Sequence, residues 1–467
     1  MKKSLVCIFS ILALVAAGNE NKILNEAVDV YYGRNGAVCD KARAFQLFSE
    51  VAKNNNPHAF YWVGYCCIKG DGVEKNIAKG LEYYKKSADL GYANAQYAYA
   101  HWLYFPHKEV KRDRAAAFSY FKMAAEQNHL KALVFLGHCY RRGHGTPKNY
   151  QKAYECYRKA ADQGNAVAQY QVGEAYFFRR GVSWDSQALF KYYSMAAAQK
   201  YPPALYRTGA AYSNGWGVPL DLAKAADYYR QAAELKDPRG TGALAHAYYR
   251  GYGVEQDFGK AFQLFQKGAE LKDDISLWYL GMMYESGREV EKDDAKAFEC
   301  YQKSVAQKSW FARYDLGRCY EYGIGTEKNP AKAFEHYRKS YHNTGIFKTA
   351  VCLFKGIGTE KNETEGFRQL QRLVKNNSPA GHYLVAVCYE NGTGTSQNNE
   401  LAFLHYKLAA QRGIKEAIER LIYCYSHGIG TTADPAEVEY WQKQKLLTPP
   451  ISLNDFIASH ADNAPAK

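Results

Sequence analysis

Beyond its first seventeen positions the chain has no run of about twenty apolar residues, so nothing after them reads as a bilayer-crossing helix. It also lacks HExxH, GxSxG and any pair of CxxC motifs, and with them the usual marks of metalloproteases, serine hydrolases and zinc ribbons. The nearest approach to a phosphate loop, GVEQDFGKA from Gly253 to Ala261, puts five residues between its glycines. It also ends in Ala where Ser or Thr belongs. His138 and His144 flank a helix end and a loop without a third convincing ligand, so no metal site is expected. Charge and apolar residues are not scarce: 23% charged and 47% hydrophobic exclude a disordered chain.

What is present begins with a leader. Lys2 and Lys3 precede an apolar stretch from Leu5 to Ala17 that ends in small residues, the layout of a cleavable secretory signal with its cut after Ala17. Export to the periplasm, the cell surface or the medium is the expectation. Cys7 lies inside the apolar stretch rather than at the cut, which disfavours a lipid anchor. The formal charge of +14 becomes 14 − 2 = +12 once the two leader lysines are gone. A basic exported protein favours acidic partners, but much of the excess recurs at fixed places such as Arg158-Lys159 and Arg338-Lys339, as a solvated face would.

The rest of the chain is periodic. A Gly-x-Gly loop followed four residues later by Asp or Asn recurs about every 36 residues, with the second loop position at Gly36, Gly72, Glu109, Gly145 and onward to Gly430. Only the interval from Gly325 to Gly358 is clearly short, by three. Such a period marks a solenoid, in which each unit buries its apolar face against its neighbours. The loop glycines stop one helix. Asp or Asn, present in all twelve units, then starts the next by accepting from its free N–H groups; because both residue types serve, capping explains them better than calcium or catalysis. Tyrosines five residues before the second loop position, and Tyr or Phe twelve after it, read as packing wedges. Six cysteines (Cys66, Cys139, Cys319, Cys352, Cys388 and Cys424) take a small core position, where a thiol acts as a small hydrophobe. Cys139 with Cys156 is the pair to examine first for a disulfide.

The unit A-x-x-x-LG-x-x-Y-x-x-G-x-G-V-x-x-[DN]-x-x-K-A-x-x-x-Y-x-K-A-A resembles the Sel-1-like repeat, an α/α relative of the tetratricopeptide repeat. Leu136-Gly137, Leu280-Gly281 and Gly251-Tyr252-Gly253-Val254 keep its signature. The resemblance implies an all-α, right-handed superhelical solenoid of about twelve helix-turn-helix units over residues 18–446, between the leader at 1–17 and a flexible tail at 447–467. Units three and eight carry altered loops. The short interval implies a shorter connection and a change of curvature near residues 340–375.

In such stacks the first helix of each unit lines the concave face. Its variable positions, seven, four and three before the second loop position, are His138, Arg141 and Arg142; Glu174, Phe177 and Phe178; His246, Tyr249 and Arg250; and Arg318, Glu321 and Tyr322. Core positions repeat while these differ from unit to unit, and mixed cations and aromatics suit a protein segment. The first expectation is therefore an exported, non-catalytic scaffold that binds a protein through this face. A binder of acidic or cell-wall polysaccharide is the second, and an enzyme acting on the envelope the third. No cofactor and no nucleic acid are expected.

Overall fold

The computed structural model describes residues 19–447, so the leader and the tail of the sequence plan lie outside the described residues. Everything regular in it is helical, and contacts divide it into one unit ending at Leu220 and another beginning at Asp221. Within each, helices pack chiefly on their neighbours in sequence, forming tandem helix pairs: an α-solenoid arrangement.

One pair shows why the residues repeat. The helix Leu130–Arg142 ends at Gly143, whose φ of 73° closes the last turn through its N–H to the Cys139 carbonyl at 2.8 Å. Asn149 then turns back, its N–H reaching the Tyr140 carbonyl at 2.8 Å, and caps the helix Tyr150–Asp162 by accepting from the Lys152 N–H at 2.9 Å. The equivalent Asp or Asn accepts in the same way in all twelve units, from Asp40 to Asp434. Each cap contributes roughly 1 kcal/mol, and amide and carboxylate are interchangeable in this role.

The beat itself has a steric cause. Gly145 lies against the first turn of the preceding second helix, where a Cβ would collide with the Arg114 carbonyl. The Gly of the LG pair is equally constrained: a Cβ on Gly137 would enter the ring of Tyr157, one of the fully buried wedges. Glu289, in the altered eighth loop, keeps a left-handed φ of 59° without being glycine.

At the short interval the helix loses four residues and the connection after it gains one, for the net three. Pro330–Arg338 has 9 residues where most second helices have 13, and the next helix opens at Asn343. The six core-position cysteines are buried as the repeat requires, and Cys139 and Cys156 are both free thiols.

Candidate functional site

The first helices bring half of the sequence-predicted residues into contacts that follow one plan. In the first unit Glu174 receives the Tyr193 hydroxyl at 2.7 Å and pairs with Arg207 of the next helix pair at 2.8 Å. The Arg207 side chain is only 7% exposed, and its guanidinium lies 4.6 Å from the Phe177 ring centre and 5.9 Å from that of Phe178. Phe177 also meets Trp216 at 5.2 Å and Trp184 at 6.1 Å. Glu174, Phe177 and Phe178 are thus joined around a buried cation absent from the sequence-predicted set, and Phe178 remains exposed.

The second unit repeats the motif with the carboxylate one turn further along. Glu285 receives the Tyr301 hydroxyl at 2.9 Å and pairs with Arg318 at 2.7 Å, while Arg318 also approaches Asp315 at 3.5 Å. Trp278 donates to Asp315 at 2.8 Å. Glu321 receives the Tyr337 hydroxyl and pairs with Lys348 at 2.9 Å, and Lys348 also donates to the Tyr322 hydroxyl at 3.0 Å. Burial alone would raise the Glu321 carboxyl; bonds from Tyr337 and Lys348 hold it below its ordinary value instead. Glu390 receives Tyr406 at 2.6 Å and pairs with Arg420. Each set ties one helix pair to the next by a charge-assisted bond.

The remaining predicted residues are dispersed. Tyr249 is buried against Phe258, Phe265 and Tyr279 and accepts from Arg288 at 2.7 Å, so it presents little surface. His246 stacks near Tyr279, and burial, helped by Arg250, lowers its pKa to about 4; Arg250 itself is exposed. His138 sits between Phe135 and Tyr157, each ring 5.6 Å away, and burial followed by Arg141 and Arg142 lowers its pKa to about 4 as well. Arg141 occupies the place that Glu285, Glu321 and Glu390 hold in their units, yet it makes no ion pair.

The signal that could have found Arg207, Lys348 and Arg420 is positional, since all three stand ten residues before the second loop position. That is about one helical turn before the positions seven residues ahead of the loop, on the same face. Among the described residues no group of three or more His, Cys, Asp and Glu could hold a metal ion, and no helix is long and apolar enough to cross a membrane.

A family model described as Sel1 repeat matches eleven segments, at 57–92, 93–129, 130–165, 166–201, 202–237, 242–273, 275–309, 310–345, 343–372, 379–414 and 416–441. The chain is similar to c5321 of uropathogenic Escherichia coli, a protective antigen with an SLR fold. Identity is 26%, covering 90% of this chain and 89% of that one, with a TM-score of 0.58. A Sel1 repeat protein from Oxalobacter formigenes is 25% identical over 64% of this chain and 89% of its own, with a TM-score of 0.48.

Proposed function

Since this chain belongs to the Sel1 repeat family, whose scaffolds are generally protein-interaction modules, we propose that it is an exported, non-catalytic scaffold holding a protein partner on its first-helix face. The observation that carries this reading is the pairing of a rigid frame with unspent contact groups. Carboxylate–phenol–cation sets fix the helices, while Phe178 and Tyr322 stay exposed beside two of them and Arg142 and Arg250 stay exposed at the equivalent helix ends of other repeats. Arginine and tyrosine on a preorganised surface are common energetic anchors of protein interfaces. Export is supported by the leader pattern of residues 1–17 and by similarity to a protective antigen.

The test is affinity capture by the full chain from envelope extract and from host-cell lysate, beside a variant with Arg141, Arg142 and Arg250 changed to Ala. Arg318 is spared because its loss would orphan Glu285. Capture of one protein by the wild type and its loss by the variant supports the scaffold. Equal capture by both refutes the face, and enrichment of wall polysaccharide alone favours the polysaccharide reading. N-terminal sequencing of the protein recovered outside the cytoplasm should begin at Gly18; a chain that keeps Met1 refutes export by cleavage.

A further inference from the structure

The first unit contains one place where the carboxylate–phenol–cation motif is inverted. Tyr157 stands where Tyr301, Tyr337 and Tyr406 stand in their repeats, but facing it is Arg141 in place of a glutamate. The Tyr157 hydroxyl has no carboxylate to receive its proton and faces a donor, the Arg141 guanidinium, whose Nε is buried without an acceptor. Arg114, at the start of the preceding second helix, also has a buried, unpartnered Nε. Arg141 and Arg142 close the helix Leu130–Arg142, whose loop lies on the first turn begun by Arg114. From that loop His144 meets the Tyr104 hydroxyl at 2.7 Å. Arg112, Arg114, Arg141 and Arg142 all act on the His144 ring, lowering its pKa behind the effect of burial. None of the four arginines makes a salt bridge among the described residues.

Two bland explanations fall short. Cations do suit the carbonyl end of a helix, but the same last-turn place holds glutamate in three other repeats, so the helix end does not require Arg141. A small phosphate cradle would offer free loop amides, yet the Gly143 and His144 N–H groups are both already bonded to the Cys139 carbonyl. Side chains alone face the anion, and they are spread over two helices and a loop. Beside them is an aromatic shelf: Phe105, exposed, lies 6.0 Å from Phe135 and 4.7 Å from His101, and Tyr104 lies 5.0 Å from Phe105. Dispersed guanidiniums next to apolar rings fit a peptide better than a free anion.

We infer that Arg114, Arg141, Arg142 and His144 form the anchor for an acidic peptide segment, its carboxylates on the guanidiniums and an apolar side chain on the Phe105–Phe135 shelf. This assignment rests on the protein-binding reading above and names the chemistry of the partner. The carboxylates supply the counter-charge that the repeat lacks and its glutamate-bearing relatives build in.

A library of random 12-residue peptides selected on the full chain tests it, followed by fluorescence anisotropy with the best peptide, its Asn/Gln counterpart, and the variants Arg141→Glu and Arg142→Glu. Arg141→Glu recreates the phenol–carboxylate contact of the other repeats, so its melting temperature should equal or exceed the wild type. Arg142 is exposed, and its replacement should leave folding unchanged. Selected peptides should carry Asp or Glu beside an apolar residue, and both the neutral peptide and each variant should bind at least tenfold more weakly. Peptides without acidic bias, or undiminished binding by folded Arg141→Glu, overturn the anchor but leave peptide binding standing. Recovery of no peptide overturns both, and binding of heparin alone assigns the cluster to polysaccharide and overturns the peptide.

Discussion

In the second unit Glu285, Glu321 and Glu390 each accept a phenol and hold a cation from the next helix pair; in the first unit the same position carries Arg141, and its phenol has no acceptor. The loop backbone is alike at both places. Loop glycine, cap and buried wedge recur around Gly145 as around Gly325. The frame therefore does not need a charge of either sign at that position, and the sign there is free to serve binding. Where the carboxylate is present it is structural, as is Glu174, which makes the same two contacts from one turn earlier in its helix, and removing one is the hardest test. Glu174→Ala would leave Arg207 buried without its counter-charge and the Tyr193 hydroxyl without an acceptor. A loss of about 3 kcal/mol is expected in urea unfolding. Arg142→Ala, with no such partner, should cost less than about 0.5 kcal/mol, and equal losses would erase the distinction.

How far the sequence carries can be judged on the same elements. The twelve Asp or Asn caps, the second loop glycine and the buried wedge at Tyr157, Tyr301 and Tyr337 are all legible, because each meets a backbone or packing need that recurs identically. The contact network is not. Spacing singles out Glu174, Arg318 and Glu321 as variable, but it is silent on whether a cation ten residues before the next loop closes on Glu174 and Glu321, or whether Arg318 closes on Glu285 of the preceding pair. Their half-buried state follows from that tertiary contact. Tyr249 shows the reverse error: its position is one of the variable ones, but the rings of Phe258, Phe265 and Tyr279 bury it. The shortened Pro330–Arg338 helix was equally hidden, since the short interval shows that three residues are missing but not from which element.

Acid sharpens the comparison through His138. Burial, followed by the charges of Arg141 and Arg142, holds its pKa near 4 in the folded state against 6.5 when free. The ring is neutral in both states above about pH 6.5. As pH falls toward 4 the unfolded chain takes up a proton that the folded chain refuses, so stability declines across that window. The full shift would correspond to about 3 kcal/mol; a half-buried ring should give about 2 kcal/mol. Arg141→Glu replaces a repelling charge by an attracting one, so His138 should titrate at higher pH in an NMR titration and the acid loss should shrink. An unmoved titration would mean that burial alone holds the ring neutral and that the uncompensated cluster does not reach it.

The smallest effect separates the two kinds of repeat most cleanly. Tyr301→Phe removes a hydroxyl that donates to Glu285 at 2.9 Å and leaves a carboxylate short of one partner, which should cost about 1.5 kcal/mol. Tyr157→Phe removes a buried hydroxyl that faces only a donor, Arg141, and whose proton has no acceptor. No phenol–carboxylate bond is broken there and a desolvation cost disappears, so stability should stay within about 0.5 kcal/mol of the wild type or rise. Both rings fill the same space against the Gly of their LG pair, Gly281 and Gly137, so packing cancels between the two substitutions and only the hydroxyl's partner differs. If Tyr157→Phe cost as much as Tyr301→Phe in urea unfolding, the phenol would have an acceptor in solution and Arg141 would not be an inverted member of the motif. The anchor proposed for the acidic peptide would then lose its structural origin, even with the guanidiniums still in place.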